Sequence, residues 1–148
     1  MNNEERYEEI ERALQDLADK NEEGPIVVEG ERDVRALRSL GIGGPIITLH
    51  RGVRVLRLCE DLAAGARPVV ILTDWDRKGG RLAKALREGL AANGVRYNDA
   101  VRARLAALTR GAITEVEDLH RHVENLKPRD EDGRRRTAPN KGWYARRR

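Results

Sequence analysis

Apolar positions along the chain alternate between helix-like and strand-like spacing. Over residues 3–20, Tyr7, Ile10, Leu14 and Leu17 fall three and four residues apart, which predicts an amphipathic helix. Three short apolar runs follow, and after each run the helical spacing returns. The predicted strands are residues 26–28, 45–49 and 69–73. One helix is predicted after each strand: the first has Val34, Leu37 and Leu40 on one face, the second spans residues 53–64, and the third runs from residue 81 to about residue 92.

This alternation of strands and helices predicts an α/β fold with a Rossmann-like parallel sheet of three or four strands. The third run is continuously apolar, as expected of a strand buried on both faces. Beyond Gly94 the spacing predicts further helices, and a weak signal at residues 112–114 suggests a fourth strand. We therefore expect an N-terminal helix (1–23), a core (24–95), C-terminal helices packed on it (96–128) and a flexible Arg-rich tail (129–148).

Composition and charge exclude several classes of protein. With 39% hydrophobic residues the chain can bury one core, whereas 3% aromatics argue against a surface that grips bases mainly by stacking. The single Cys59 leaves no disulfide framework, and no apolar run approaches the roughly 20 residues of a membrane span, so a cytoplasmic protein is expected. Of the net charge of +4, residues 129–148 carry +5 and residues 1–128 carry −1, so any electrostatic attraction to nucleic acid is concentrated in the tail.

Acidic residues follow two of the predicted strands. Glu29 follows the first strand, and Asp74 and Asp76 follow the third. Ligands of open parallel sheets bind at the carboxyl ends of the strands, where these three side chains can converge. Carboxylates brought together repel one another unless a cation neutralises them, and all-oxygen ligands favour Mg²⁺ or Mn²⁺ over Zn²⁺. The pattern therefore predicts a magnesium site.

The motif Val-Val-Glu29-Gly30-x-x-Asp33, followed by Ile-Leu-Thr-Asp74-x-Asp76-Arg77-x-Gly79, resembles the Toprim domain. That domain is shared by topoisomerases, bacterial-type primases, several nucleases and the ribonucleases that mature 5S ribosomal RNA. The resemblance spans roughly residues 24–95, and the short chain looks most like stand-alone small Toprim proteins of archaea and bacteria. One departure is Gly80, which stands where many members place a further acid.

The resemblance implies a role for each matching residue. Glu29 would be the metal-linked general acid or base, and Asp74 and Asp76 would be ligands of one or two Mg²⁺ ions, for which Mn²⁺ can substitute. Residues implied to approach phosphate or nucleic acid are Gly30, Arg77, Lys78 and Gly79, and supporting roles are open to Asp33, His50 and Arg51. Asp33 is favoured as a residue that organises the first turn of its helix rather than as a metal ligand.

The resemblance implies a Mg²⁺-dependent protein that acts on RNA or DNA phosphodiesters, most specifically a nuclease. A non-catalytic adaptor that binds metal and nucleic acid is the alternative, and a partner protein or a homodimer is left open. A third hypothesis takes Asp74-x-Asp76 as the nucleophile and acid of a haloacid-dehalogenase-like phosphatase, although those enzymes usually place that motif after the first strand.

Overall fold

The computed structural model describes residues 1–49, 54–129 and 133. His50, Arg51 and nearly all of the Arg-rich tail lie outside these residues. The helices are α1 (Asn3–Glu23), α2 (Glu31–Ser39), α3 (Val55–Ala64), α4 (Arg77–Ala92), α5 (Ala100–Leu108) and α6 (Leu119–Leu126), the last preceded by a 3-10 turn at Val116–Asp118. The strands are β1 (Ile26–Val28), β2 (Ile46–Thr48), β3 (Val69–Ile71) and β4 (Tyr97–Asn98).

The four strands form one parallel sheet in the order β2-β1-β3-β4. In its register, Ile26 lies opposite Ile46 on one side and opposite Val70 on the other. The fold therefore places β1 and β3 next to each other, although 40 residues (29–68) lie between them in the chain. The segments that follow these two strands consequently emerge side by side at the carboxyl edge of the sheet.

Alternate strand residues face two separate apolar layers. Val28 and Leu72 face the layer formed by α1, α2, α5 and α6, whereas Val27 and Ile71 face the layer formed by α3 and α4. All four side chains are fully buried, so the sheet lies between two layers of helices. The predicted α/β, Rossmann-like class with extra N- and C-terminal helices is confirmed.

Two details of the predicted secondary structure are wrong. The fourth strand is Tyr97–Asn98, not residues 112–114, which adopt no strand although Thr114 O accepts a 2.8 Å hydrogen bond from Trp75 N–H. A two-residue edge strand has no apolar run that could identify it in the sequence. Helix α4 begins at Arg77, four residues before the predicted start, because Gly79 and Gly80 lie in its first turn rather than in a preceding loop.

Among the described residues, no helix is both long enough and apolar enough to cross a membrane.

Candidate functional site

Glu29 and Asp74 are joined directly at the carboxyl edge of the sheet. Glu29 follows β1 and Asp74 follows β3, and Glu29 Oε2 accepts a 2.8 Å hydrogen bond from the Asp74 backbone N–H. This contact follows from the adjacency of β1 and β3, since the two residues are 45 positions apart in the chain. It fixes one oxygen of the Glu29 carboxylate against the loop that carries both aspartates.

The Asp74 carboxylate is buried and lies among other acids. Its Oδ1 accepts a 2.8 Å hydrogen bond from the backbone N–H of Val116, and only 9% of the residue is exposed. Burial is the main reason that the pKa of Asp74 is raised to about 7, and the negative charges of Asp33, Glu29 and Asp76 raise it further. The bond from Val116 opposes the shift but does not cancel it. A bound cation would stabilise the ionised carboxylate, which burial and the neighbouring acids disfavour.

Asp76 caps helix α4, and Gly79 allows the helix to start close to Asp74. The Asp76 carboxylate accepts a 2.7 Å hydrogen bond from Gly79 N–H, and Thr73 Oγ1 donates to Gly79 O at 2.8 Å. A Cβ on Gly79 would stand 1.8 Å from the carbonyl oxygen of Asp74, so no larger residue fits there without moving the backbone. Glycine is therefore required at position 79 because the first turn of α4 passes close to the backbone of Asp74.

Asp33 and Gly30 organise the start of α2. The Gly30 N–H donates a 3.1 Å hydrogen bond to the Asp33 carboxylate, which ties the cap of the helix to its first turn. The pKa of Asp33 is raised, first by burial and then by the charges of Glu29 and Glu117, against hydrogen bonds that lower it. A Cβ on Gly30 would meet nothing within 4 Å, so no described protein atom requires glycine here.

Of the remaining predicted site residues, some are exposed at the start of α4 and others lie outside the described part of the chain. Arg77 and Lys78 are the first two residues of α4 and are exposed beside the Asp76 cap. His50 and Arg51 lie outside the described residues. Trp75, between the two aspartates, points into the protein, because its Nε1–H donates to Ile113 O at 2.9 Å and to Thr109 Oγ1 at 3.1 Å.

Sequence reasoning missed the residues of the C-terminal helices that hold the acidic loop. Arg102, on α5, donates through Nε to Thr73 O at 3.0 Å and through a terminal nitrogen to Asp74 O at 2.7 Å. Burial lowers the pKa of this guanidinium, and Arg87 lowers it further while Asp99, Glu29 and Asp74 act in the opposite sense. Nothing in the spacing of α5 distinguishes Arg102 from the exposed arginines around it, so no sequence signal could have found it.

Glu115 is a further acid near the site. Its pKa is raised, first by a hydrogen bond with Glu117, then by slight burial, and then by the charges of Glu117, Asp118 and Asp76. The segment after α5 therefore adds negative charge beside Asp76. In the sequence this segment lies far from both acidic motifs, so its proximity to them depends on the packing of α5 and α6.

The donors present fit a hard divalent cation. The described side chains whose charges raise the pKa of Asp74 are all carboxylates, and the free Cys59 is buried in the α3–α4 layer. No three acids, cysteines or histidines of those residues stand in an arrangement that could hold a metal ion by themselves. Mg²⁺ suits such a site, because it commonly keeps several waters and uses one or two carboxylates together with substrate phosphates.

Comparison with protein families matches residues 24–108 to the Toprim domain. The match covers both acidic motifs, the whole sheet and helix α5. The chain therefore belongs to the Toprim domain family, whose members generally bind Mg²⁺ and act in nucleic-acid metabolism. The haloacid-dehalogenase-like hypothesis is set aside by this assignment.

Relatives of similar length narrow the assignment. A UPF0292 protein of Methanocaldococcus jannaschii is 33% identical over 83% of this chain and 96% of its own length. A UPF0292 protein of Thermococcus onnurineus is 39% identical over 77% of this chain and 86% of its own length. The chain is thus a member of the UPF0292 proteins. A solved structure of a protein from Aquifex aeolicus is similar in fold, with a TM-score of 0.64 and 26% identity over 73% of this chain and 95% of that chain.

Proposed function

We propose that this protein is a Mg²⁺-dependent nuclease that hydrolyses phosphodiesters of RNA or DNA. The observation that carries the proposal is the direct contact of Glu29 with the Asp74 backbone, at the edge where Asp76 also lies. Burial, together with repulsion by Asp33, Glu29 and Asp76, raises the pKa of Asp74, and a bound cation would stabilise its ionised form.

In this proposal Asp74 and Asp76 would hold Mg²⁺, with Glu29 beside them. When bound, Mg²⁺ would favour ionisation of a water at neutral pH and offset negative charge on the phosphate and leaving oxygen. One oxygen of each carboxylate accepts a hydrogen bond from a backbone N–H. Glu29 accepts from the N–H of Asp74, Asp74 accepts from that of Val116, and Asp76 accepts from that of Gly79. These bonds orient the carboxylates and leave the second oxygen of each for other contacts.

Glu29 would move the proton of the attacking water or of the leaving group. Its Oε2 is committed to Asp74 N–H, which leaves Oε1 as the oxygen that exchanges the proton. Arg77 and Lys78 are exposed at the start of α4, where they would contact the phosphates on either side of the scissile bond. Their positive charge would oppose the repulsion between the acidic site and a polyanionic substrate.

A second candidate function is a metal- and nucleic-acid-binding adaptor without catalysis. One observation favours it. Asp76 already accepts the Gly79 N–H as the cap of α4, so one of its oxygens is committed to the fold. An adaptor would need the binding surface but no proton-transfer group at Glu29.

Cleavage of end-labelled structured RNA, single-stranded DNA and duplex DNA, with Mg²⁺, Mn²⁺ or EDTA, tests the proposal. We expect metal-dependent cleavage by the wild type and a loss of at least a hundredfold in Glu29→Gln, because general acid–base catalysis typically contributes about 10²- to 10⁴-fold. Glu31→Gln is the matched control, since it removes the same charge from an exposed position two residues away. Binding without cleavage by the wild type, unchanged in Glu29→Gln, would instead support the adaptor.

A further inference from the structure

Helices α1 and α4, which pack on opposite faces of the sheet, carry opposite net charges. Helix α1 contains nine acidic and three basic residues, a balance of −6, whereas α4 contains five basic residues and one acid, a balance of +4. Helix α1 packs on the face to which Val28 points, and α4 packs on the opposite face, against Val27. A polyanion that reaches the acidic site is therefore repelled from the α1 face and attracted to the α4 face.

The basic residues of α4 form a row that begins at the site. Arg77, Arg81 and Lys84 follow one another at four- and three-residue spacing on the outward side, opposite the buried Ala83 and Leu86. At a rise of about 1.5 Å per residue, the row extends about 10 Å from Arg77 to Lys84. Lys78 lies beside its first member. We call these four residues, Arg77, Lys78, Arg81 and Lys84, the α4 basic row.

Within the part of the chain that the structure describes, the α4 basic row has few partners. Among the described residues, Arg77, Lys78 and Arg81 form no ion pair, and Lys84 contacts only Glu88, at 4.0 Å. The groove beside α2 is mixed in charge, because its Arg32 and Arg121 lie 4.0 Å and 3.0 Å from the carboxylates of Glu117 and Asp118, while its Arg35 forms no ion pair with any residue that the structure describes. In the described part of the chain, Arg77 and Lys78 are therefore unpaired cations next to the Asp76 cap that an external anion can reach.

Among the residues that the structure describes, no exposed aromatic side chain belongs to α4. The large apolar side chains that are exposed among the described residues are Met1, Leu56 and Tyr97. Tyr97 pairs with Val69 at the start of β3, at the edge of the sheet opposite Asp74. Proteins that bind single strands usually stack bases on aromatic residues, whereas contacts to phosphate alone suit a duplex, whose bases are turned inward.

We propose that the α4 basic row binds the phosphate backbone of a double-stranded nucleic acid and directs one strand to the acids at the start of the helix. The proposal rests on the proposed function, since it names the form of substrate that the same site would receive. A strand of a duplex carries one phosphate per about 3.4 Å of helix axis, so a row of about 10 Å can contact more than one phosphate. Recognition of this kind is independent of base sequence and shared by duplex RNA and duplex DNA.

Removing the two members of the row that lie farthest from the acids tests the proposal. Arg81→Gln/Lys84→Gln deletes two charges at exposed positions and keeps good helix formers there. The control is Arg12→Gln/Arg104→Gln, which deletes one exposed and one partly exposed charge, each paired with an acid of α1, on the α1 and α5 side of the sheet. Fluorescence anisotropy in EDTA measures the affinity for duplex RNA, duplex DNA and the corresponding single strands between about 50 and 200 mM salt.

We expect the wild type to bind duplex more tightly than single strand. The row variant should lose on the order of tenfold or more in duplex affinity, and its slope of log affinity against log salt should fall by about 2, since each phosphate contact contributes about 0.9. The control should change by less than about twofold. Duplex RNA and duplex DNA, measured as separate arms, identify the preferred backbone.

Unchanged affinity and salt slope in the row variant, or a preference of the wild type for single strands, would overturn the proposal. So would self-association of the wild type through the row, seen by sedimentation as dimers that the row variant lacks, without binding to duplex. Metal-dependent cleavage that persists with unchanged affinity in the row variant would refute the role of the α4 basic row but leave the proposed nuclease activity standing. Absence of both cleavage and duplex binding in the wild type would refute the proposed function itself.

Discussion

Replacing the Asp74 carboxylate by an amide should stabilise the metal-free protein. Asp74→Asn keeps the shape of the side chain and an oxygen that can accept the hydrogen bond of Val116, but it removes the charge. Because the pKa of Asp74 is about 7 in the fold, against an ordinary value of 3.8 for an aspartate, ionisation opposes folding. Over this difference, at about 1.4 kcal/mol per pH unit, the cost reaches about 4 kcal/mol above pH 7. A neutral acceptor bonds Val116 about 1 kcal/mol less strongly, so we expect a net gain of about 2–3 kcal/mol at pH 8.

The direction of the pH dependence follows from the sign of the shift. A raised pKa gives the wild type a stability that is fully present below pH 3.8 and is lost as the pH rises through 7. The advantage of Asp74→Asn should therefore shrink by more than half between pH 8 and about pH 5. It should also shrink at pH 8 with Mg²⁺, because an ion at ten times its Kd stabilises the wild type by about 1.4 kcal/mol.

Urea unfolding followed by circular dichroism, in EDTA and in Mg²⁺, measures these differences in the free energy of unfolding. Asp61→Asn is the control, since Asp61 is an exposed acid of α3 whose pair with Arg57 should contribute less than about 1 kcal/mol. If Asp74→Asn is less stable than the wild type at pH 8 in EDTA and the difference does not vary with pH, then ionisation of Asp74 does not oppose folding.

Two further predictions concern the packing of the acidic loop. Gly79→Ala should lower the free energy of unfolding by about 3 kcal/mol or more, because its Cβ would stand 1.8 Å from Asp74 O, whereas Gly80→Ala meets nothing within 4 Å and should raise it by about 0.5–1 kcal/mol. Thermal and urea unfolding of the pair measure the contrast, and equal effects would contradict the close approach. Arg102→Gln should cost about 2–3 kcal/mol, because it leaves the carbonyls of Thr73 and Asp74 without its two hydrogen bonds; a loss below about 0.5 kcal/mol in the same assay would show that the contact contributes little.

The order of elements was predictable because buried strands and amphipathic helices differ in period. The runs at Ile26–Val28 and Val69–Ile71 are buried at every position, so both stand out in the sequence. The strand Tyr97–Asn98 does not, because it has two residues on the edge of the sheet, one exposed and one partly exposed. The start of α4 was misplaced because two consecutive glycines usually indicate a turn, whereas the Asp76 cap and the close approach of Gly79 hold them in a helix.

The candidate site was predictable only in part, for a related reason. Glu29 and Asp74 follow apolar strands, and parallel strands bring their carboxyl ends to one edge of the sheet. The supports from Arg102, Val116 and Glu115 arise from the packing of helices whose sequences carry no chemical motif. Their positions depend on tertiary structure, which the periodicity of one chain does not specify.

Binding of Mn²⁺, a paramagnetic substitute for Mg²⁺, can be followed by electron paramagnetic resonance and shows whether the acids at the carboxyl edge of the sheet hold a metal ion. We expect saturable binding to the wild type, loss of at least tenfold in affinity in Asp74→Asn, and unchanged binding in the control Asp61→Asn. Binding of Mn²⁺ with the same affinity and stoichiometry in the wild type and in Asp74→Asn would contradict a metal site at Asp74. The ion would then be held by residues other than the acids that follow β1 and β3.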